Sequence, residues 1–210
     1  MERKTVLYIA VSLDWMIAKE DGSIDWLDEF EGEGDNGYSD FYQTVDTVIL
    51  GRSTYEHVKV LTPVFPYQDK TCYVFTGSPD SYQDEHVTFI NEGARAFTAR
   101  LKQEKGSNIW IAGGAELVND FMKEDAIDEF IITVIPVVLG SGIPLFHELT
   151  NETKLRLKGT KQFGQATSGS APLCKSIRKR IDRCLSFFVC KLERFSLSRL
   201  DEILEFFNEL

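Results

Sequence analysis

The segment Asn108-Ile-Trp-Ile-Ala-Gly-Gly-Ala-Glu-Leu-Val118 constrains this chain more than any other. An apolar run with strand character stops at a glycine pair and passes at once into residues with helical spacing. A strand that turns straight into a helix belongs to an α/β layer, in which helices cover the faces of a parallel sheet. Two residues without Cβ at such a turn let a ligand's oxygens approach the main chain. The free N–H groups and positive dipole end of the helix then favour an anion. A second copy of the device lies upstream. Asp46-Thr-Val-Ile-Leu50 is another apolar run, and Gly51-Arg-Ser-Thr-Tyr-Glu56 follows it with a glycine, a guanidinium, two hydroxyls and the start of a helix. Two such corners suit two ends of one large, multiply charged ligand.

The rest of the chain alternates in the same way. Thr5 to Val11 reads as a strand, Ser12 to Ala18 as a loop with apolar anchors, and Asp21-Gly22 as a turn. Tyr38 to Val45 has helical spacing and delivers the chain to the strand at 46–50. Thr71 to Thr76 and Val87 to Ile90 are further strands. Ala94 to Lys105 has a helical period, with Gly106 where a C-terminal glycine would end it. Asp128 to Ile135 is a strand that Pro136 ends or places at an edge, and Leu155 to Phe163 alternates like a half-exposed strand. These elements predict an α/β fold with a mostly parallel central sheet and helices on both faces.

Composition narrows the function. A chain of 210 residues with 43% apolar residues can bury a full core. A formal net charge of -10 disfavours general affinity for nucleic acid or an anionic membrane, so a bound phosphate must be met by local geometry. No apolar run approaches a membrane span, the N-terminus lacks a signal peptide's apolar core, and a cytoplasmic location is expected. Cys72 stands alone, and Cys174, Cys184 and Cys190 are spaced unlike any compact metal motif, so no metal site is expected. His57, His86 and His147 lie in unrelated contexts and read as surface or cap residues.

Taken in order, Ala10, Ser12-Leu-Asp14, Ile17-Ala18, Asp25-Trp26, Gly51-Arg52, Thr54-Tyr-Glu56, Thr76, Ala112-Gly-Gly-Ala-Glu116 and Pro136 to Pro144 resemble the dihydrofolate reductase superfamily. The resemblance covers roughly residues 3–164. It is closer to the branch typified by the C-terminal reductase domain of the bifunctional riboflavin-biosynthesis deaminase-reductase than to the folate enzymes. It implies a central mixed sheet with NADPH across the carboxyl ends of the strands. By matched position, Gly113, Gly114, Ala115 and Glu116 would hold the pyrophosphate. Gly51, Arg52, Ser53 and Thr54 would take the pyrophosphate and the adenosine side. Arg52 with Thr76 and Ser78 would receive the 2′-phosphate, since a guanidinium fork suits a dianion. Ala10 and Ile17 would line the nicotinamide pocket, and Trp26 would stand at the mouth of the active site. Asp14, between the two nicotinamide positions, would bind substrate or relay a proton, or else brace its loop.

The implied reaction is hydride transfer to a C=N or C=O carbon of a small heterocyclic or sugar-derived substrate, by a homodimer. Two departures weaken a folate reading. The carboxylate expected beyond the tryptophan falls at Glu31 in a glycine-broken context, and Leu61 to Lys70 holds no arginine. The zinc deaminase signatures of the bifunctional enzyme are also absent, which leaves the reductase half alone. A dihydrofolate reductase, or a nucleotide-binding scaffold without catalysis, stands as the alternative.

Residues 1–165 read as the reductase domain and 166–210 as an atypical tail. After Gln165 the last strand of the family does not follow. Ala166 to Pro172 reads as a link, and Ser196 to Leu210 as a capped amphipathic helix. Leu185 to Leu192 is a second source for the missing strand.

Overall fold

A computed structural model describes residues 3–30, 35, 37–147, 149, 152–163 and 187–194. The strands are β1 (Thr5–Ser12), β2 (Met16–Ala18), β3 (Val45–Gly51), β4 (Thr71–Phe75), β5 (Val87–Ile90), β6 (Asn108–Gly113), β7 (Glu129–Ile135), β8 (Ile143–Pro144), β9 (Leu155–Phe163) and β10 (Phe187–Arg194). The helices are α1 (Tyr38–Tyr42), α2 (Arg52–Leu61), α3 (Ala94–Gln103) and α4 (Ala115–Lys123), with 3-10 turns at Asp25–Phe30 and Pro79–Ser81.

Eight strands form one sheet in the order β5-β4-β3-β6-β1-β7-β10-β9. From β5 to β7 every pairing is parallel, and β10 then pairs antiparallel with both β7 and β9. The central strands are short apolar runs because both of their faces are covered. Along β1, Leu7 and Val11 pack with Phe97 and Leu101 of α3 and with Val118 and Phe121 of α4. Val6 and Tyr8 face the other way, onto Phe41 of α1 and Tyr55 of α2. Phe97, Phe121 and Phe130 are fully buried, and each contributes about 1.5–3 kcal/mol through that burial. The expected α/β architecture, with helices on both faces, is therefore the one observed.

Two local expectations are corrected, and two that stood open are decided. The stretch read as a loop from Ser12 to Ala18 contains β2, which pairs with β8 in a separate two-stranded ribbon. A ribbon of two and three residues has no legible period. Gly106 does not cap α3, which ends at Gln103 with Glu104 as its cap. Its lack of a side chain serves a close approach instead, because a Cβ there would collide with Asp46 and the Arg3 guanidinium. Pro136 ends β7, but β7 lies between β1 and β10 and is not an edge. The tail is not wholly separate, for β10 comes from it and fills the place of the missing strand. The amphipathic helix expected at 196–210 and the link at 166–172 lie outside the described residues.

Arg3 ties the amino ends of these elements together. Its guanidinium donates to Asp46 Oδ1 (2.5 Å), Thr47 Oγ1 (2.6 Å) and the carbonyls of Leu101 and Ser107 (2.8 Å each). One buried cation thus joins β1, β3, α3 and the approach to β6.

Candidate active site

The two glycine corners adjoin. β3 and β6 are neighbours, Leu50 is in register with Gly113, and the strands deliver α2 and α4 from the same end of the sheet. A Cβ placed on Gly51 would lie 3.5 Å from the Gly114 amide nitrogen and 3.6 Å from the Gly113 carbonyl oxygen. Gly113 has φ +114°, where a side chain would be strained, and the peptide joining it to Gly114 is cis. A Cβ on Gly114 would stand 3.0 Å from Thr54 Oγ1. Gly51 and Gly114 are the N-caps of α2 and α4, and neither helix start has a side-chain cap. Two sets of first-turn N–H groups therefore open onto one notch, which is the arrangement an anion requires. Ala115 is buried beneath it, while Ser53 and Glu116 are exposed and Thr54 is half-buried.

Arg52, at the first position of α2, is exposed. Its Nε donates to Glu56 Oε1 at 2.9 Å, one turn along the helix, and its guanidinium lies 5.0 Å from the Tyr82 ring centroid. Among the described residues its two terminal nitrogens have no hydrogen-bond partner. Gly51 is in register with Phe75 of β4, so Thr76 follows at the same edge as Arg52. The Thr76 amide donates to the Ile90 carbonyl at 3.0 Å, and its Oγ1 accepts from the Ser78 amide at 3.4 Å. A cation and two hydroxyls thus gather on the α2 side of the notch.

Ala10 lies on β1, two strands from β3, in register with Thr133 of β7. It packs with Trp26, Ile135, Leu139 and Phe163. Trp26 is 4% exposed, so it walls this end of the sheet from within, and its Nε1 has no hydrogen-bond partner among the described residues. Ile17, on β2, packs against the core on the opposite face.

Asp14 is heavily engaged. Ser12 Oγ donates to its Oδ1 at 2.6 Å, and the amides of Leu139 and Gly140 donate to Oδ1 and Oδ2 at 3.1 and 2.8 Å. The Ser12 hydrogen bond, helped by the two amides, outweighs the small cost of burial and holds this carboxyl below the usual carboxylate range. Both oxygens brace the β1–β2 loop against the segment that follows β7. Among the described residues Oδ2 takes only the Gly140 bond, so the accepting capacity left on this carboxylate lies there.

One feature of this end carries no sequence signature. Tyr8 stacks on Phe41 with ring centroids 4.1 Å apart, and Tyr38 and Trp110 close around them. Each reads in isolation as an ordinary core aromatic. Glu31, the carboxylate considered for a folate substrate, lies outside the described residues. Among the described residues no group of His, Cys, Asp and Glu could hold a metal ion, and no helix is long and apolar enough to cross a membrane.

A cavity of about 530 Å³ lies elsewhere, lined by Lys59, Thr62, Phe65, Asp84 and His86 among others. These residues belong to the end of α2 and to the approaches to β4 and β5, at the amino ends of the strands. The histidines have specific neighbours: His86 stacks on Phe65, and His147 contacts the Asn119 side chain.

The RibD C-terminal domain family matches residues 3–168. The chain is 99% identical over 166 residues to Uncharacterized protein YwjB of Bacillus subtilis (strain 168), covering 79% of this chain and 95% of that protein. It is 31% identical over 173 residues to Uncharacterized protein YyaP of the same organism, covering 77% of this chain and 90% of that protein. Among solved structures it is similar to that of a Shewanella sp. PV-4 protein assigned by name to riboflavin biosynthesis. The TM-score is 0.72 at 26% identity, covering 92% of this chain and 99% of that one. The fold is also that of Enterococcus faecalis dihydrofolate reductase complexed with NADP(H) and RAB-propyl, at TM-score 0.63 and 20% identity, covering 93% and 99%.

Proposed function

Since the chain belongs to the RibD C-terminal domain family, we propose that it is an NADPH-dependent reductase acting on a small heterocyclic or sugar-derived substrate, with 5-amino-6-(5-phosphoribosylamino)uracil the first compound to test. The observation that carries the reading is the shared notch formed by Gly51, Gly113 and Gly114. It is open where side chains would block it and lined by main-chain donors. In this reading those donors, with Thr54 and the first turn of α4 at Ala115 and Glu116, hold the pyrophosphate. Arg52, Ser53, Thr76 and Ser78 take the adenosine end and its 2′-phosphate, where the free nitrogens of Arg52 suit a dianion.

NADPH, when bound, supplies a hydride to the C=N or C=O carbon. The residues of the chain align and enclose that reaction. Ala10 leaves room for a flat ring beside β1, and Trp26 and its neighbours keep water from that side, while Ile17, packed against the core on the opposite face, supports the ribbon there. Asp14 acts here by holding the loop at Leu139 and Gly140 in place, and the compensating proton comes from solvent or substrate. A homodimer in the cytoplasm completes the reading.

Quenching of tryptophan emission tests the cofactor. NADPH should bind more tightly than NADH, and Arg52→Ala should weaken NADPH far more than NADH. Equal losses would remove the 2′-phosphate assignment, and no response to either nucleotide would favour a scaffold without catalysis. Loss of nicotinamide absorbance with the uracil compound, against dihydrofolate, then separates the riboflavin-type activity from the folate one.

A further inference from the structure

We infer that the Tyr8 hydroxyl hydrogen-bonds the flat heterocycle of the substrate and is a determinant of its affinity. The inference rests on the proposed reductase reading. Side chains alternate along a strand, so Tyr8 shares a face of β1 with Ala10, one step below the nicotinamide position. Trp110, on the neighbouring β6, donates from Nε1 to the Tyr8 carbonyl at 3.0 Å and fixes the backbone there. The Tyr8 ring is held by a stack on Phe41 and by edge contacts with Trp110. Its hydroxyl has no hydrogen-bond partner among the described residues, whereas those of Tyr42 and Tyr55 are bonded to Asp69 and Asp84.

The surroundings keep this phenol protonated. Burial, aided by the charge of Asp35 and the neighbouring Tyr38, pushes its pKa up to about 12. The Asp35 oxygens accept from the amides of Gly37 (3.0 Å) and Ser39 (2.7 Å) at the start of α1. A protonated phenol on an aromatic shelf can donate to a carbonyl or accept from an N–H of a planar ligand. The carbonyls and ring N–H groups of a pyrimidinedione are partners of that kind.

The test is titration of the full chain with 5,6-diaminouracil, with and without NADP+, followed by tryptophan emission. Wild type should bind, and Tyr8→Phe, which keeps the ring and its stack, should weaken the uracil about tenfold while NADPH affinity stays within about twofold. Equal uracil affinity in the two proteins overturns the inference, as does failure of wild type to bind the uracil under both conditions. Failure of wild type to bind NADPH, with the uracil result intact, counts against the reductase reading and not against Tyr8.

Discussion

Gly51 and Gly114 meet so closely that a Cβ on the first would touch the amide nitrogen of the second at 3.5 Å. Gly51 has φ -75° and ψ 153°, an extended conformation open to any residue, so its small size is not demanded by the backbone. Gly51→Ala should therefore fold with stability within about 0.5 kcal/mol of wild type, yet fill the notch and weaken NADPH about tenfold. Calorimetric titration beside a urea melt checks both halves. Unchanged NADPH affinity would show that the notch is not where the nucleotide lies.

Arg3 is buried, and its partners depend on it. Arg3→Met keeps the apolar stem but takes the guanidinium from two carbonyls and from Asp46, which among the described residues keeps only the Ser107 amide and the Thr47 hydroxyl. Asp46 retains solvent contact, which reduces the penalty, and the expected loss is about 2–3 kcal/mol by urea unfolding.

Acid should act through Asp84. Burial would raise its pKa, but hydrogen bonds from Tyr55, Lys59 and the His86 amide prevail and hold it at about 2. A carboxylate depressed in the folded state stabilises fully above its unfolded pKa of about 3.9, and that contribution fades as the group protonates on the way down to about pH 2. The stability gap between wild type and Asp84→Asn, up to about 2 kcal/mol near neutrality, should close between about pH 5 and pH 2. A gap that stays constant in melts across that range would disprove the assignment.

Trp15 has φ +67°, an uncommon conformation for a bulky residue, and its side chain is 45% exposed. Trp15→Gly and Trp15→Ala remove the same contact with Phe146. Only glycine accepts the left-handed backbone freely, so the glycine variant should be more stable than the alanine variant by about 1 kcal/mol.

The parts of the site built from main chain were legible in the sequence. Glycines after apolar runs advertise a strand-to-helix corner, and Gly113-Gly114 and Gly51 fall where that logic puts them. Side-chain roles fixed by distant partners were not. Asp14 is bound to amides at residues 139 and 140, Gly106 is small because of Arg3 and Asp46, and Tyr8 looks like any aromatic in a buried strand until Phe41 and Trp110 close around it. β10 could be foreseen only as a second choice, because its pairing with β7 and β9 spans more than fifty residues of sequence from the former.

That placement sets the order in which the molecule can be finished. β9 reaches the rest of the sheet through β10, which follows it in sequence. During synthesis, β7 must wait with its outer row of amides and carbonyls unclaimed until β10 has left the ribosome. A chain interrupted before β10 would keep that row open to other molecules, which invites edge-to-edge association.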